Sequence, residues 1–324
     1  MYNVRSHLIF NGSIKVILRG SFLAILSAIA YGFIAFFSVP LMQEGLSFAT
    51  ILFYRFFLSG LMVMLFIIVR KKSIKPLLII PKDLLKVIGT TFFYSASALT
   101  FMAAFNLTDS GIVITIQFCY PIVVVFLMVA FFGERFNLST CIASILIVIG
   151  VAIFSAQNIL FGTSGVNIST FGILLAIFSG ITMASYVACL QIANFECKSD
   201  LVLAMYIMLS MGIYCGLYGI CTNNFTPLLD WPTFQTMLFM ALITGAISNV
   251  SLIFAVRYIG SSLTSVFGGL EVITGMIAGF IFLGERVSLA NMLGASCILL
   301  AVTLVAVVSM WKSKNALKNI QNTN

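Results

Sequence analysis

Long apolar stretches, separated by short polar breaks, run through almost the whole chain. Each stretch holds about 20 residues, the length that an α-helix needs to cross the hydrocarbon core of a bilayer. The pattern predicts ten membrane spans, and the breaks between them are too short to hold a soluble domain. The approximate bounds of the predicted spans are 20–41, 48–69, 86–107, 110–132, 138–156, 171–193, 201–221, 234–257, 261–283 and 287–310.

Composition narrows the class of protein further. Of the 324 residues, 61% are hydrophobic and 8% are charged, whereas soluble domains carry roughly a quarter charged residues. This excludes a soluble enzyme, a disordered protein and a secreted disulfide scaffold. The seven cysteines form no C-x-x-C pair, and the one histidine, His7, lies in the N-terminal tail. We therefore expect no metal site, no cofactor, no catalytic residues and no enzyme activity.

The distribution of positive charge predicts the orientation. With the N-terminus in the cytoplasm, ten spans place fifteen of the seventeen lysines and arginines on the cytoplasmic side. Such asymmetry follows the positive-inside rule and predicts that both termini are cytoplasmic. It also accounts for the net charge of +8 without a nucleic-acid partner.

The second half of the chain repeats the first. The tripeptide Gly-Glu-Arg at 133–135 returns 151 residues later at 284–286, and Ser27 corresponds to Ser179 at a shift of 152. Five spans in each copy is an odd number, so the copies must face opposite ways across the membrane. Inverted repeats of this kind underlie alternating access, with the substrate held near the midplane. The predicted organisation is a cytoplasmic tail 1–19, a first repeat 20–156, an external linker 157–170, a second repeat 171–310 and a cytoplasmic tail 311–324.

Short motifs recur within this frame. Apolar helices end in Gly-Glu at 133–134 and at 284–285, and Tyr120-Pro121 lies about a dozen residues before the first of them. Leu270-Glu271 lies before the second, with Val272 in the place of a further proline, and Tyr54-Arg55-Phe56 lies near the start of the second span. With these motifs the chain resembles the drug/metabolite transporter superfamily, specifically its ten-helix EamA-like members. The resemblance implies an all-α integral membrane protein of two inverted five-helix repeats that transports small organic solutes.

Two charged residues inside predicted spans are the first candidates for function. Glu271 lies near the middle of the ninth span, where a charge is costly and should face a cavity or a partner. It could couple protons or bind an ammonium group, and the structural alternative is a carboxyl that holds helices together. Arg55 could bind a carboxylate or phosphate, and its structural alternative is a side chain that extends toward the headgroups.

Polar residues at helical spacing predict the lining of a cavity between the spans. Side chains of this kind can bind a ligand, but they also form hydrogen bonds between helices. The spans that carry them are among those that line the cavity in the family that the chain resembles. The candidates are Tyr94, Gln117, Tyr120, Thr182, Tyr186, Ser248 and Asn249.

These features favour a secondary active transporter for a small metabolite. No P-loop motif is present, so the energy is expected from protons, a counter-solute or the substrate gradient. An acid and a base in the spans favour a zwitterion such as an amino acid or an S-adenosylmethionine-like compound. Two alternatives stay open: a proton-coupled efflux pump for cationic or aromatic compounds, and a non-transporting scaffold or receptor. We expect a multi-pass protein of the bacterial inner membrane, a monomer or a homodimer, whose partners are its substrate and the lipid bilayer.

Overall fold

The fold is known from a computed structural model that describes residues 14–73, 77–105, 107–108, 110–161, 169–193, 195, 199–227, 230–282 and 287–323. Within these ranges the chain is helical with short connections and no strand. His7 and the second Gly-Glu-Arg tripeptide at 284–286 lie outside the described residues. The helices are α1 (Ile14–Gly32), α2 (Ile34–Gln43), α3 (Phe48–Lys71), α4 (Pro81–Phe105), α5 (Ser110–Gln117), α6 (Tyr120–Phe132), α7 (Leu138–Phe161), α8 (Thr170–Ile192), α9 (Asp200–Cys221), α10 (Trp231–Met240), a π-helical segment (Ala241–Ile247), α11 (Ser248–Ile259), α12 (Ser261–Phe267), α13 (Leu270–Phe282) and α14 (Leu289–Thr323).

Ten stretches of the described chain are long and apolar enough to cross a membrane, which confirms the predicted number of spans. Four of them contain more than one helical segment: α1 with α2, α5 with α6, α10 through the π segment to α11, and α12 with α13. The helices α7 and α14 extend past the predicted span ends to Phe161 and Thr323. Turn signals in the sequence therefore placed the spans well but not the full length of every helix.

The packing follows the two-fold relation between the repeats. Helix α3 packs against α9, and α7 against α14, so the second and fifth spans each contact their own counterparts. Helix α1 packs against α11 as α4 packs against α8. The contact between the first and eighth spans therefore has its counterpart in the contact between the sixth and third spans. The interior of the bundle is thus built from both repeats.

The fourth and ninth spans are both broken near the middle. Helix α5 ends at Gln117 and α6 begins at Tyr120, while α12 ends at Phe267 and α13 begins at Leu270. The second break forms although Val272 replaces the proline of the motif. Here Gly269 N–H donates to Val266 O at 3.2 Å, an i−3 bond. Discontinuous helices near the midplane are a common way of forming transporter binding sites.

Close glycine contact joins the last span of each repeat. A Cβ on Gly294 would overlap the carbonyl oxygen of Gly150 and lie 2.8 Å from the backbone nitrogen of Phe154. Backbone atoms cannot move aside as a flexible side chain can. We therefore expect Gly294→Ala to lower the stability of the folded protein by about 1–3 kcal/mol through overpacking.

A matched glycine gives the control for this prediction. A Cβ on Gly275 would have the carbonyl oxygen of Gly32 at 3.5 Å as its neighbour, which is an ordinary contact. Gly275→Ala should therefore keep or raise stability, because alanine favours a helix by up to about 1 kcal/mol over glycine. Thermal unfolding in detergent measures both variants. Equal unfolding temperatures would contradict the packing argument.

Candidate substrate site

Arg55 is buried in the centre of the bundle, with none of its surface exposed. Its Nη2 donates to the carbonyl oxygen of Thr244 at 2.9 Å. The guanidinium carbon lies 4.8 Å from the ring centre of Tyr31 and 4.6 Å from that of Phe56, so two aromatic faces stabilise the cation. This placement contradicts the alternative in which Arg55 extends to the headgroups.

Two guanidinium nitrogens of Arg55, Nε and Nη1, are buried and find no hydrogen-bond partner among the described residues. A buried donor without a partner is costly, and a charged one more so. A guanidinium binds a carboxylate or phosphate through a planar fork of two N–H groups. Nε and Nη1 lie on different edges of the group, and each forms such a fork with Nη2. An anionic group could therefore bind one unpartnered donor together with Nη2.

Three tyrosines extend this cationic centre. The hydroxyls of Tyr31 and Tyr94 are 3.2 Å apart, and the rings of Tyr94 and Tyr186 meet edge to face with centres 5.0 Å apart. The hydroxyl of Tyr186 is buried without a partner in the described chain. Helix α1 thus places a phenol group against the Arg55 guanidinium, and α4 and α8 continue the cluster from it.

Glu271 lies in the first turn of α13, just after the break in the ninth span. Its side chain is half-buried. It interacts electrostatically with Arg55, but no ion pair joins the two, and no described residue donates a hydrogen bond to its carboxylate. Among the described residues, Glu271 and Arg55 are thus an acid and a base of the interior that interact without a direct ion pair.

Tyr120 occupies the corresponding place in the first repeat, since it follows the break in the fourth span and corresponds to Glu271 at the shift of 151. Its hydroxyl donates to Ser265 O at 3.3 Å. A Cβ on Gly268 would overlap that hydroxyl. Glycine at this position lets the two broken spans approach each other, and Tyr120 bridges them.

Two pairs of serines lie at equivalent positions, where a helix of one repeat packs against a helix of the other. Ser27 donates to Ser248 O at 2.9 Å, and Ser248 donates to Ser27 O at 3.1 Å. In the related crossing, Ser97 donates to Ser179 O at 2.9 Å, and Ser179 donates to Ser97 O at 2.8 Å. Gln117 Oε1 lies 2.6 Å from Ser179 Oγ and is an alternative acceptor for the single Ser179 hydroxyl proton. These reciprocal bonds tie helices together near the candidate site.

The comparisons with known proteins agree with this architecture. The sequence pattern of the EamA-like transporter family matches residues 18–156 and 170–307, which together make up most of the chain. The chain belongs to the EamA-like transporter family. A crystal structure of another protein superposes on this fold with a TM-score of 0.73 at 12% identity, covering 89% of this chain and 98% of that one. No curated protein matches the sequence.

Several polar residues of this EamA-like protein use their bonding capacity within their own helix. Thr182 donates to Phe178 O at 2.8 Å and also lies 3.0 Å from Ser179 O. Asn249 donates from Nδ2 to Gly245 O at 2.8 Å. Among the predicted lining residues, these two are therefore engaged with the backbone, whereas Arg55, Tyr94 and Tyr186 lie together.

Residues outside the predicted set complete the site. Tyr31 connects Arg55 to the tyrosines, and Ser59 and Ser265 supply contacts to neighbouring spans. Tyr31 lies one turn after Ser27, which begins a polar face on the first span. The sixth span carries polar residues at helical spacing around Ser179, the counterpart of Ser27. This correspondence could have drawn attention to the same face of the first span.

Proposed function

We propose that this EamA-like protein is a secondary active transporter of a small zwitterionic metabolite, such as an amino acid or an S-adenosylmethionine-like compound, and that it works by alternating access between its inverted repeats. The observation that carries the proposal is that Arg55 has two buried donors without a partner among the described residues and interacts electrostatically with Glu271. Arg55 would bind the substrate carboxylate, and Glu271 would bind its ammonium group or carry a proton.

A second candidate is proton-coupled efflux of cationic or aromatic compounds. The cluster of Tyr31, Tyr94 and Tyr186 favours it, because aromatic faces attract cations. Arg55 lies against that cluster and would repel a simple cation. For that reason we favour a substrate that brings an anionic group for Arg55 together with its positive charge.

Membrane context completes the proposal. The concentration of lysine and arginine on one side of the threaded chain supports cytoplasmic termini, and the protein would lie in a bacterial inner membrane. The protein would act as a monomer or a homodimer, without enzyme activity of its own. Its driving force would be a proton gradient or exchange against another solute.

Counterflow in proteoliposomes separates the two candidates. Vesicles preloaded with an amino acid are tested for uptake of the same labelled compound, of its decarboxylated amine and of its N-acetylated acid. For a zwitterion transporter we expect exchange of the amino acid and at least a tenfold loss with either analogue. Uptake of the amine alone would favour the efflux function. Absence of counterflow across a broad metabolite panel would support the scaffold alternative.

A further inference from the structure

The eighth span contains seven residues of π-helix, Ala241–Ile247, between α10 and α11. A π-helix bonds from i to i+5, and such turns occur mostly as local insertions, often at functional sites. Two carbonyl oxygens of this segment accept hydrogen bonds from the second span. Ser59 Oγ donates to Ala241 O at 2.7 Å, and Arg55 Nη2 donates to Thr244 O at 2.9 Å.

These contacts are buried and close. Arg55, Ser59 and Thr244 have no exposed surface, and Ser59 Oγ also lies within bonding range of the carbonyl oxygen of Arg55. A Cβ on Gly245 would overlap Ser59 Oγ and lie 3.1 Å from the Arg55 carbonyl oxygen. Glycine at 245 therefore lets the π segment lie directly against α3.

Comparison of the repeats shows which side chains differ. The counterpart of the π segment at the shift of 151, residues 90–96, is α-helical throughout. In the second span the shift is 152, because a Cβ on Gly60 would meet Leu209 as a Cβ on Gly212 would meet Phe57. Arg55 therefore corresponds to Ile207 and Ser59 to Met211, neither of which can donate a hydrogen bond. The π turn thus accompanies the copy in which a cation faces the helix backbone, and the repeat architecture does not impose it.

We propose that Arg55 and Ser59 are positioning residues that hold the eighth span in its π-helical form, and that release of this turn is a step of the transport cycle. Each fork of a guanidinium includes Nη2, so an anion bound through two nitrogens of Arg55 would use Nη2 with Nε or Nη1 and compete with the Thr244 carbonyl oxygen for Nη2. Anion binding and the conformation of the eighth span would then both depend on the Arg55 side chain. The second part of the proposal rests on the transport function proposed above, and the first part does not.

Hydrogen–deuterium exchange on the full-length protein in detergent tests the first part. We expect Ser59→Ala to speed amide exchange in peptides covering 241–248 by about tenfold, because a buried carbonyl loses its donor. Peptides covering 90–97 should not change. Ser144→Ala is the matched control, since Ser144 is buried and its hydroxyl bonds to Thr140 O in its own helix at 2.9 Å. Equal exchange in wild type and Ser59→Ala, or the same change in both variants, would overturn the proposal.

Transport kinetics test the second part. In counterflow with the labelled amino acid that wild type exchanges, Ser59→Ala should lower the maximal rate about tenfold and leave half-saturation within about twofold. If Ser59→Ala had faster amide exchange but a wild-type maximal rate, Ser59 would hold the π turn, but release of the turn would have no part in the transport cycle. If wild type exchanged no solute, the proposed function would fail, while the amide exchange would still decide whether Ser59 holds the turn.

Discussion

Replacing Arg55 by methionine is expected to abolish exchange of a zwitterionic substrate and to cost the folded protein no more than about 1–3 kcal/mol, the penalty for leaving the buried Thr244 carbonyl oxygen without its donor. Methionine has a similar length and no charge, and two nitrogens of Arg55 are buried without a partner in the described chain. Replacing a buried charge by an apolar side chain of similar volume is often neutral or stabilising. An arginine with only a structural role would instead lower stability while substrate exchange persisted.

The expected loss of binding is large. Removing one member of a buried, hydrogen-bonded charge pair costs about 2–5 kcal/mol, which corresponds to roughly 30-fold to several thousandfold weaker binding of the substrate carboxylate. Counterflow and thermal unfolding are measured on the same preparations. Arg70→Met is the control, because Arg70 lies exposed in the last turn of α3. Wild-type exchange by Arg55→Met would refute the assignment of Arg55 to the substrate.

Replacing Glu271 by glutamine is expected to retain exchange but to abolish accumulation of the substrate under a pH gradient. Glutamine preserves the size of the side chain and cannot carry a transferable proton. The Glu271 carboxylate forms no salt bridge among the described residues, so replacing it breaks no salt bridge to a buried cation. Uptake into proteoliposomes with and without an imposed pH gradient measures the two activities separately.

Glu134 provides the control for Glu271. It follows α6 in a connection outside the spans and accepts a hydrogen bond from Ser262 at 2.9 Å. Burial raises the pKa of the Glu134 carboxyl, while the Ser262 hydrogen bond lowers it. Glu134→Gln therefore removes another partly buried acid, yet it should keep gradient-driven accumulation. If Glu271→Gln lost exchange as well as accumulation, Glu271 would be a binding or structural residue, not a proton coupler.

The candidate site was only partly visible in the sequence. Arg55 and Glu271 stood out because a charge inside an apolar span is rare and costly. Thr182 and Asn249 had the right spacing, but each bonds to a carbonyl of its own helix. Spacing places a side chain on a face, and it does not say whether the side chain prefers its own backbone or a ligand. Tyr31 was missed because its role depends on Arg55 and Tyr94, which lie in other spans.

The sequence by itself determined the class of fold. Apolar length gave the ten spans, because every backbone polar group in a bilayer must bond within the protein, and the shift of 151 residues gave the inverted repeat. Only the tertiary structure decided where helices depart from α-helical form. The π segment at Ala241–Ile247 has the same apolar character as its surroundings, whereas the break before Leu270 falls at Gly268-Gly269. Carbonyls there are bonded by side chains of other spans: Ser265 by Tyr120, and Thr244 by Arg55. Such donors come from distant positions in the chain, so local sequence patterns cannot reveal them.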